Sequence, residues 1–130
     1  MTSNRILQIN ATATAATGLA MLAARPFLPP LFGLASPMLL DLTAIFFLVY
    51  AAVLFLAAAR PRVERPALLA FAAADGAWVV GSAVVLLMFW PQLTPIGRVL
   101  IIGVALVVDA FAMLQFRAAK TSPTARVSLT

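Results

Sequence analysis

The stretch from Ala67 to Trp90 reads ALLAFAAADGAWVVGSAVVLLMFW and contains one ionisable residue, Asp75. An α-helix rises about 1.5 Å per residue, so about 20 mainly apolar residues cross the hydrocarbon layer of a bilayer, which is about 30 Å thick. Three more stretches of this kind occupy residues 6–24, 38–59 and 99–116. None of the four alternates as a barrel strand does. The sequence therefore predicts an all-α membrane protein with four transmembrane helices in an antiparallel bundle.

The composition supports this assignment and excludes several functions. Of 130 residues, 64% are hydrophobic and 10% are charged, against about 25% charged in a typical soluble domain. The net charge of +5 is spread over single Lys and Arg residues without a basic stripe, so nucleic acid is not an expected partner. The chain has no Cys and no His, so we expect no metal site, no cofactor and no catalytic residues. An enzyme is the least expected class.

Proline and glycine residues separate the four apolar stretches. They are Pro26, Pro29, Pro30, Gly33 and Pro37 in the first connection, Pro61 and Pro66 in the second, and Pro91, Pro95 and Gly97 in the third. Residues 1–120 are predicted to form one transmembrane domain, and the Ser- and Thr-rich residues 121–130 a disordered cytoplasmic tail.

The distribution of positive charge predicts the orientation in the membrane. Seven of the nine Lys and Arg residues lie on one side, namely Arg5, Arg60, Arg62, Arg65, Arg117, Lys120 and Arg126. Only Arg25 and Arg98 lie on the other side. Because cytoplasmic loops retain positive residues, we expect both termini and the loop of residues 60–66 on the cytoplasmic side of the membrane.

The two halves of the chain match each other in part. The pairs matched at an offset of 65 are Asn10 with Asp75, Ala16 with Gly81, Thr17 with Ser82, Pro26 with Pro91, and Pro30 with Pro95. A slightly different offset places Tyr50 over Asp109. The pattern indicates a tandem duplication of a two-helix hairpin, with the repeats related by rotation about the membrane normal.

Three carboxylates lie within the predicted spans, where each costs at least about 2.5 kcal/mol. Asp41 is near the outer end of the second span and Arg98 is at the same face, so we expect a structural ion pair between them. Asp75 and Asp109 lie deeper, at similar distances from the cytoplasmic ends of their spans.

A polar layer is predicted around these two deeper acids. The proposed ligand or proton site comprises Asp75, Asp109, Asn10, Tyr50, Trp78 and Ser82. No Lys, Arg or His is predicted at this depth, and burial and mutual repulsion both disfavour ionisation, so we expect at least one acid to carry a proton. Such a pair could exchange a proton for a cation, or could serve only as hydrogen-bonding groups between helices.

The stretch Asn10 to Gly18 and the Asp-x-x-Trp-x-x-Gly-Ser pattern from Asp75 to Ser82 carry a family resemblance. The chain resembles uncharacterised bacterial four-helix inner-membrane proteins over most of residues 5–117, a resemblance that brings no known activity. In size it also resembles the small multidrug-resistance exporters. Those proteins carry their key acid in the first helix, where this chain has Asn10, so their activity is not transferred.

Two classes of function remain. The first is a small transporter or binding protein that uses the buried carboxylate layer for a proton-coupled or cationic apolar solute. The second is a non-catalytic accessory or scaffold subunit of a larger membrane complex. The expected partners are the lipid bilayer and either further copies of the chain or such a complex.

Overall fold

The computed structural model of the chain describes residues 2–121, and every regular element within them is a helix. The elements are α1 (Ser3–Ala23), α2 (Leu28–Phe32), α3 (Met38–Ala58), α4 (Arg65–Phe89) and α5 (Pro95–Thr121). Helices α1, α3, α4 and α5 are each long and apolar enough to cross a membrane. These four correspond to the four predicted spans and indicate a membrane protein. Of the predicted tail, only Thr121 is among the described residues, and it ends α5.

Helix α5 is longer than predicted at both ends. It begins at Pro95 and ends at Thr121, whereas the predicted span covered residues 99–116. Proline fits the first helical turn because its missing N–H has no partner there in any case. Helix α4 likewise begins with Pro66 in its first turn. Two prolines that the sequence analysis treated as breaks therefore lie at helix starts.

Helix α2 is a short element that the sequence analysis did not predict. Pro29 and Pro30 lie in its first turn, and Gly33 ends it in the left-handed conformation, with a φ of 80°. The backbone N–H of Thr94 donates to the carbonyl oxygen of Phe32 at 3.1 Å. Helix α2 therefore rests against the start of α5.

The long helices form two closely packed pairs, α1 with α3 and α4 with α5, and α1 also touches α5. A Cβ atom at Gly18 of α1 would lie 3.1 Å from the carbonyl oxygen of Ala44. This glycine therefore lets the α1 and α3 backbones approach closely, as small residues do in membrane proteins.

The apolar core lies towards the end of the structure where α1 begins, α5 ends and α3 connects to α4. Its buried side chains are Leu7, Ala11, Leu54, Ala58, Val63, Leu68 and Ala119. The outer surfaces of the helices expose large apolar side chains, such as Leu87 at 82% and Leu56 at 72%. Such surfaces suit contact with lipid rather than with water.

At the opposite end, the expected ion pair between Asp41 and Arg98 is not formed. Asp41 pairs with Arg25, whose Nη2 atom is 2.9 Å from Oδ2 of the carboxylate. Arg25 lies two residues after the end of α1, and the close packing of α1 against α3 brings it to the first turn of α3. Arg98 instead lies over the ring of Trp90, 4.1 Å from its centroid, and donates to the Trp90 carbonyl oxygen.

Candidate functional site

Asp75 is the centre of a hydrogen-bonded cluster to which all four long helices contribute. The Tyr50 hydroxyl of α3 donates to Oδ1 of Asp75 at 2.8 Å. The Asn10 amide of α1 donates to Oδ2 at 3.0 Å, and the Gln115 amide of α5 donates to the same oxygen at 2.9 Å. The carboxylate of α4 is thus an acceptor shared by the three other long helices.

Further bonds connect the donors of this cluster to one another. The Asn10 amide also donates to Oε1 of Gln115 at 2.8 Å, and Thr14 donates to Oδ1 of Asn10 at 3.0 Å. The side chains are deeply buried, with exposed fractions of 0% for Gln115, 2% for Asn10 and 3% for Asp75. A buried polar group is stabilised when its hydrogen bonds are made, so the cluster fixes how the four helices face one another.

Asp75 has no cationic partner among residues 2–121, where the ion pair is that of Arg25 with Asp41. Its three side-chain donors are neutral. A carboxylate offers about four acceptor positions, so three donors leave one position open. Asp75 therefore retains capacity for one further donor or cation.

A cavity of about 460 Å³ lies beside the cluster and is lined by residues of all four long helices. Asp75 and Tyr50 form part of its wall, and the rest combines four further aromatic rings with mainly aliphatic side chains. Phe46 stacks on Trp78 with ring centroids 5.8 Å apart, and Phe47 lies 4.8 Å from Trp78 in a tilted arrangement. The cavity volume falls within the range of small-molecule sites, about 300–1,000 Å³.

Trp78 and Ser82, which the sequence analysis placed on the same face as Asp75, have different surroundings. Trp78 lines the cavity, and its indole N–H is buried without an acceptor in the part of the chain that the structure describes. Ser82 is buried but makes no hydrogen bond to Asp75, whose side-chain partners are the three donors above. Trp78 therefore belongs to the site and Ser82 lies outside the cluster.

Asp109 does not join Asp75, contrary to the expected layer. Its side chain is exposed on α5, and the position level with Asp75 is taken by Gln115. Gln115 lies six positions after Asp109, which amounts to about 9 Å along the helix and about 240° around it. The expected carboxylate pair is therefore replaced by one carboxylate with three neutral donors.

Gln115 is the site residue that the sequence analysis missed. The offset of 65 could have identified it, because this offset matches Tyr50 with Gln115 when it is applied to the whole chain. The shift to a slightly different offset, made to match Tyr50 with Asp109, removed that signal. At the constant offset, the matched pairs are Asn10 with Asp75 and Tyr50 with Gln115, which are the members of the cluster.

Comparison of the chain with protein-family models, curated proteins and solved structures finds no match.

Proposed function

We propose that the chain is a small transporter or binding protein of the bacterial inner membrane that holds a cationic, partly apolar solute at Asp75. The observation that carries the proposal is a buried carboxylate with neutral donors only, set in the wall of an apolar cavity that contains several aromatic rings. A buried anion without a cation is costly. A bound cation would offset that cost, which gives the site a reason to prefer positively charged solutes.

The aromatic rings in the cavity wall support the same solute class. Aromatic faces attract cations through their quadrupoles, and such sites commonly recognise quaternary ammonium groups. Phe46, Phe47 and Trp78 supply three such rings beside Asp75. A solute that combines a positive nitrogen with an apolar body would use both the carboxylate and the rings.

The proposed architecture is an antiparallel bundle of two hairpins, α1 with α3 and α4 with α5, derived from a tandem duplication. A residue can touch its own repeat counterpart only where the symmetry axis passes between them. Asn10 and Asp75 are counterparts at the offset of 65, and they share a hydrogen bond. Phe32 and Gly97 are also counterparts, and a Cβ at Gly97 would lie 2.9 Å from the Cα of Phe32.

The hydrogen bonds of the cluster follow the same relation. A half-turn rotation that exchanges the two repeats moves the bond between Asn10 and Gln115 onto a second bond of the cluster. That second bond is the one between Tyr50 and Asp75. The solute site would then lie close to the axis between the repeats, where transporters built from repeats commonly bind their substrates.

The proposed orientation has both termini and the α3–α4 connection in the cytoplasm, supported by the excess of positive residues on that side. Cysteine introduced at the exposed Arg62 is expected to resist impermeant thiol reagents in intact cells. Cysteine at the exposed Ser36, in the connection before α3, should react with them and serves as the matched control. If the reagents label Arg62→Cys but not Ser36→Cys in intact cells, the orientation is the opposite of the proposed one.

The solute site can be tested with benzyltrimethylammonium, a small cation with one aromatic ring. The purified protein in lipid nanodiscs is expected to bind it, as measured by quenching of tryptophan fluorescence or by calorimetry. Neopentylbenzene, the neutral carbon isostere, should bind at least tenfold more weakly because it cannot pair with Asp75. The Asp75→Asn variant should lose most of the preference for the cation.

Asp41→Asn is the matched control, since it makes the same chemical change at an acid that does not line the cavity. It should bind the cation as the wild type does. Equal binding of the cation and its neutral isostere would contradict the proposed solute class, and undiminished cation binding by Asp75→Asn would contradict the site.

One observation favours the second candidate, a non-catalytic scaffold or accessory subunit. Asp75 already accepts three hydrogen bonds from three helices, which is sufficient for a purely structural connection between them. In that case neither benzyltrimethylammonium nor neopentylbenzene should bind to the protein beyond the amount that partitions into the lipid. Substitution of Asp75 should still lower the stability of the protein.

A further inference from the structure

Asp109 lies near the middle of the 27-residue helix α5, and its side chain is exposed. It forms no ion pair within residues 2–121, and the hydrogen bonds of the polar cluster do not reach it. The side chains around it on the same face are apolar. Leu106 is 65% exposed and Met113 is 51% exposed.

A carboxyl group in this position is costly when its helix faces lipid. Acids within membrane spans almost always face the interior of a bundle or a polar partner. The α5 face around Asp109 therefore needs a covering group that can hydrogen-bond at the depth of Asp109.

A second copy of the chain meets this need without any further component. Copies inserted in the same orientation are related by an axis along the membrane normal, so a symmetric contact between two α5 helices brings equal depths together. Asp109 of one copy would then meet Asp109 of the other. Two carboxyl groups at close distance share one proton and form a hydrogen bond between an acid and a carboxylate.

The spacing of exposed residues on α5 also fits a contact between two helices. Exposed positions recur through Asp109 itself at alternating intervals of four and three, namely Ile102, Leu106, Asp109, Met113 and Phe116, which is the spacing of a helix–helix seam. The exposed Ala110 follows Asp109 and flanks this seam, and small residues let membrane helices approach closely.

We propose that this exposed face of α5 is a homodimer interface, in which the Asp109 side chains of two copies form a hydrogen bond to each other. The interface does not involve the Asp75 cluster and is independent of the proposed solute.

The test measures association of the full-length protein in lipid vesicles by energy transfer between labelled copies, over a range of protein-to-lipid ratios. The wild type should dimerise. Asp109→Leu should raise the dissociation constant about tenfold, equivalent to about 1.4 kcal/mol. Asp109→Asn should stay within about threefold of the wild type, because two amides can each donate and accept.

A second pair of variants distinguishes a loss of association from a loss of folding. Ala110→Ile should also weaken association at least tenfold because it holds the helices apart. Ala77→Ile, the same change at an exposed position of α4, should leave association unchanged, and circular dichroism should show equal helicity for all variants.

A wild type that stays monomeric at every density overturns the proposal, as does dimerisation that Asp109→Leu leaves unchanged. A monomer that instead binds a Leu–Ala model helix with a central Lys, but not one with a central Leu, would assign the face to a cationic partner helix. Failure of either kind leaves the binding test at Asp75 unaffected, because the two sites share no residue.

Discussion

Replacing Asp75 with leucine is expected to lower the free energy of unfolding by about 2–3 kcal/mol. Leucine leaves the buried donors of Tyr50, Asn10 and Gln115 without their shared acceptor. Each unsatisfied buried donor costs about 1–3 kcal/mol in soluble proteins, but hydrogen bonds within membranes average only about 0.6 kcal/mol. Asn10 and Gln115 also keep their bond to each other, so the loss is smaller than the sum of three full penalties.

The measurement is reversible unfolding in mixed micelles with increasing dodecyl sulfate, followed by circular dichroism. Asp75→Asn should lose only about 1 kcal/mol, because its remaining carbonyl oxygen still accepts hydrogen bonds. Asp41→Asn should change the free energy by less than about 0.5 kcal/mol, since its partner Arg25 is largely exposed and exposed ion pairs contribute little. Equal stability of Asp75→Leu and the wild type would show that the cluster does not hold the helices together.

The comparison of these variants also bears on function. If the cluster is purely structural, no variant binds the cation, and substitutions at Asp75 change only the stability. A solute site predicts that Asp75→Asn, although folded, loses the preference for benzyltrimethylammonium. The same substitution therefore distinguishes the two proposed functions once its stability is known.

The four long helices could be predicted from the sequence because the thickness of a bilayer sets the length of an apolar run. Their ends were predicted less well, since proline marks both the end of one helix and the first turn of the next. Pro95 illustrates this ambiguity, because it was read as a break and proves to begin α5. Helix α2 is too short to show a periodic pattern.

The candidate site was predicted in part. Asn10, Tyr50 and Asp75 were expected together and do meet. Asp109 was assigned to the same layer by counting residues from the end of the predicted span of residues 99–116, but α5 continues to Thr121, which places Gln115 rather than Asp109 level with Asp75. Each residue turns the helix by about 100°, so a small error in register moves a side chain from the interior to the surface. Gln115 was overlooked because the repeat offset was changed to match Tyr50 with Asp109 instead of with Gln115.

The pairing of Asp41 could not be predicted from charge and depth alone. Two arginines, Arg25 and Arg98, lie on the same side of the membrane as this acid by sequence. The choice between them depends on which helices pack together, and the close contact of α1 with α3 favours Arg25. Depth thus limits the possible partners, while helix packing selects one of them.

Replacing Gly33 with alanine is expected to lower the free energy of unfolding by about 2 kcal/mol, since a left-handed conformation costs a non-glycine residue about 1–2 kcal/mol. Gly33 has a φ of 80°, and a Cβ atom there would overlap the carbonyl oxygen of Gln92. Because that oxygen belongs to the backbone, side-chain rotation cannot remove the overlap. Helix α2 must therefore move away from the connection between α4 and α5.

This movement should be visible at one hydrogen bond. In the wild type, the backbone N–H of Thr94 donates to the carbonyl oxygen of Phe32, so its exchange with solvent should be slow. In Gly33→Ala we expect that exchange to be at least tenfold faster, as measured by hydrogen–deuterium exchange. Gly81→Ala is the matched control, because no atom lies within 4 Å of a Cβ at that helical position and alanine favours helix over glycine by about 0.5–1 kcal/mol. The same substitution should therefore destabilise the protein at Gly33 and stabilise it slightly at Gly81. An unchanged exchange rate at Thr94 in Gly33→Ala would contradict the contact between α2 and α5.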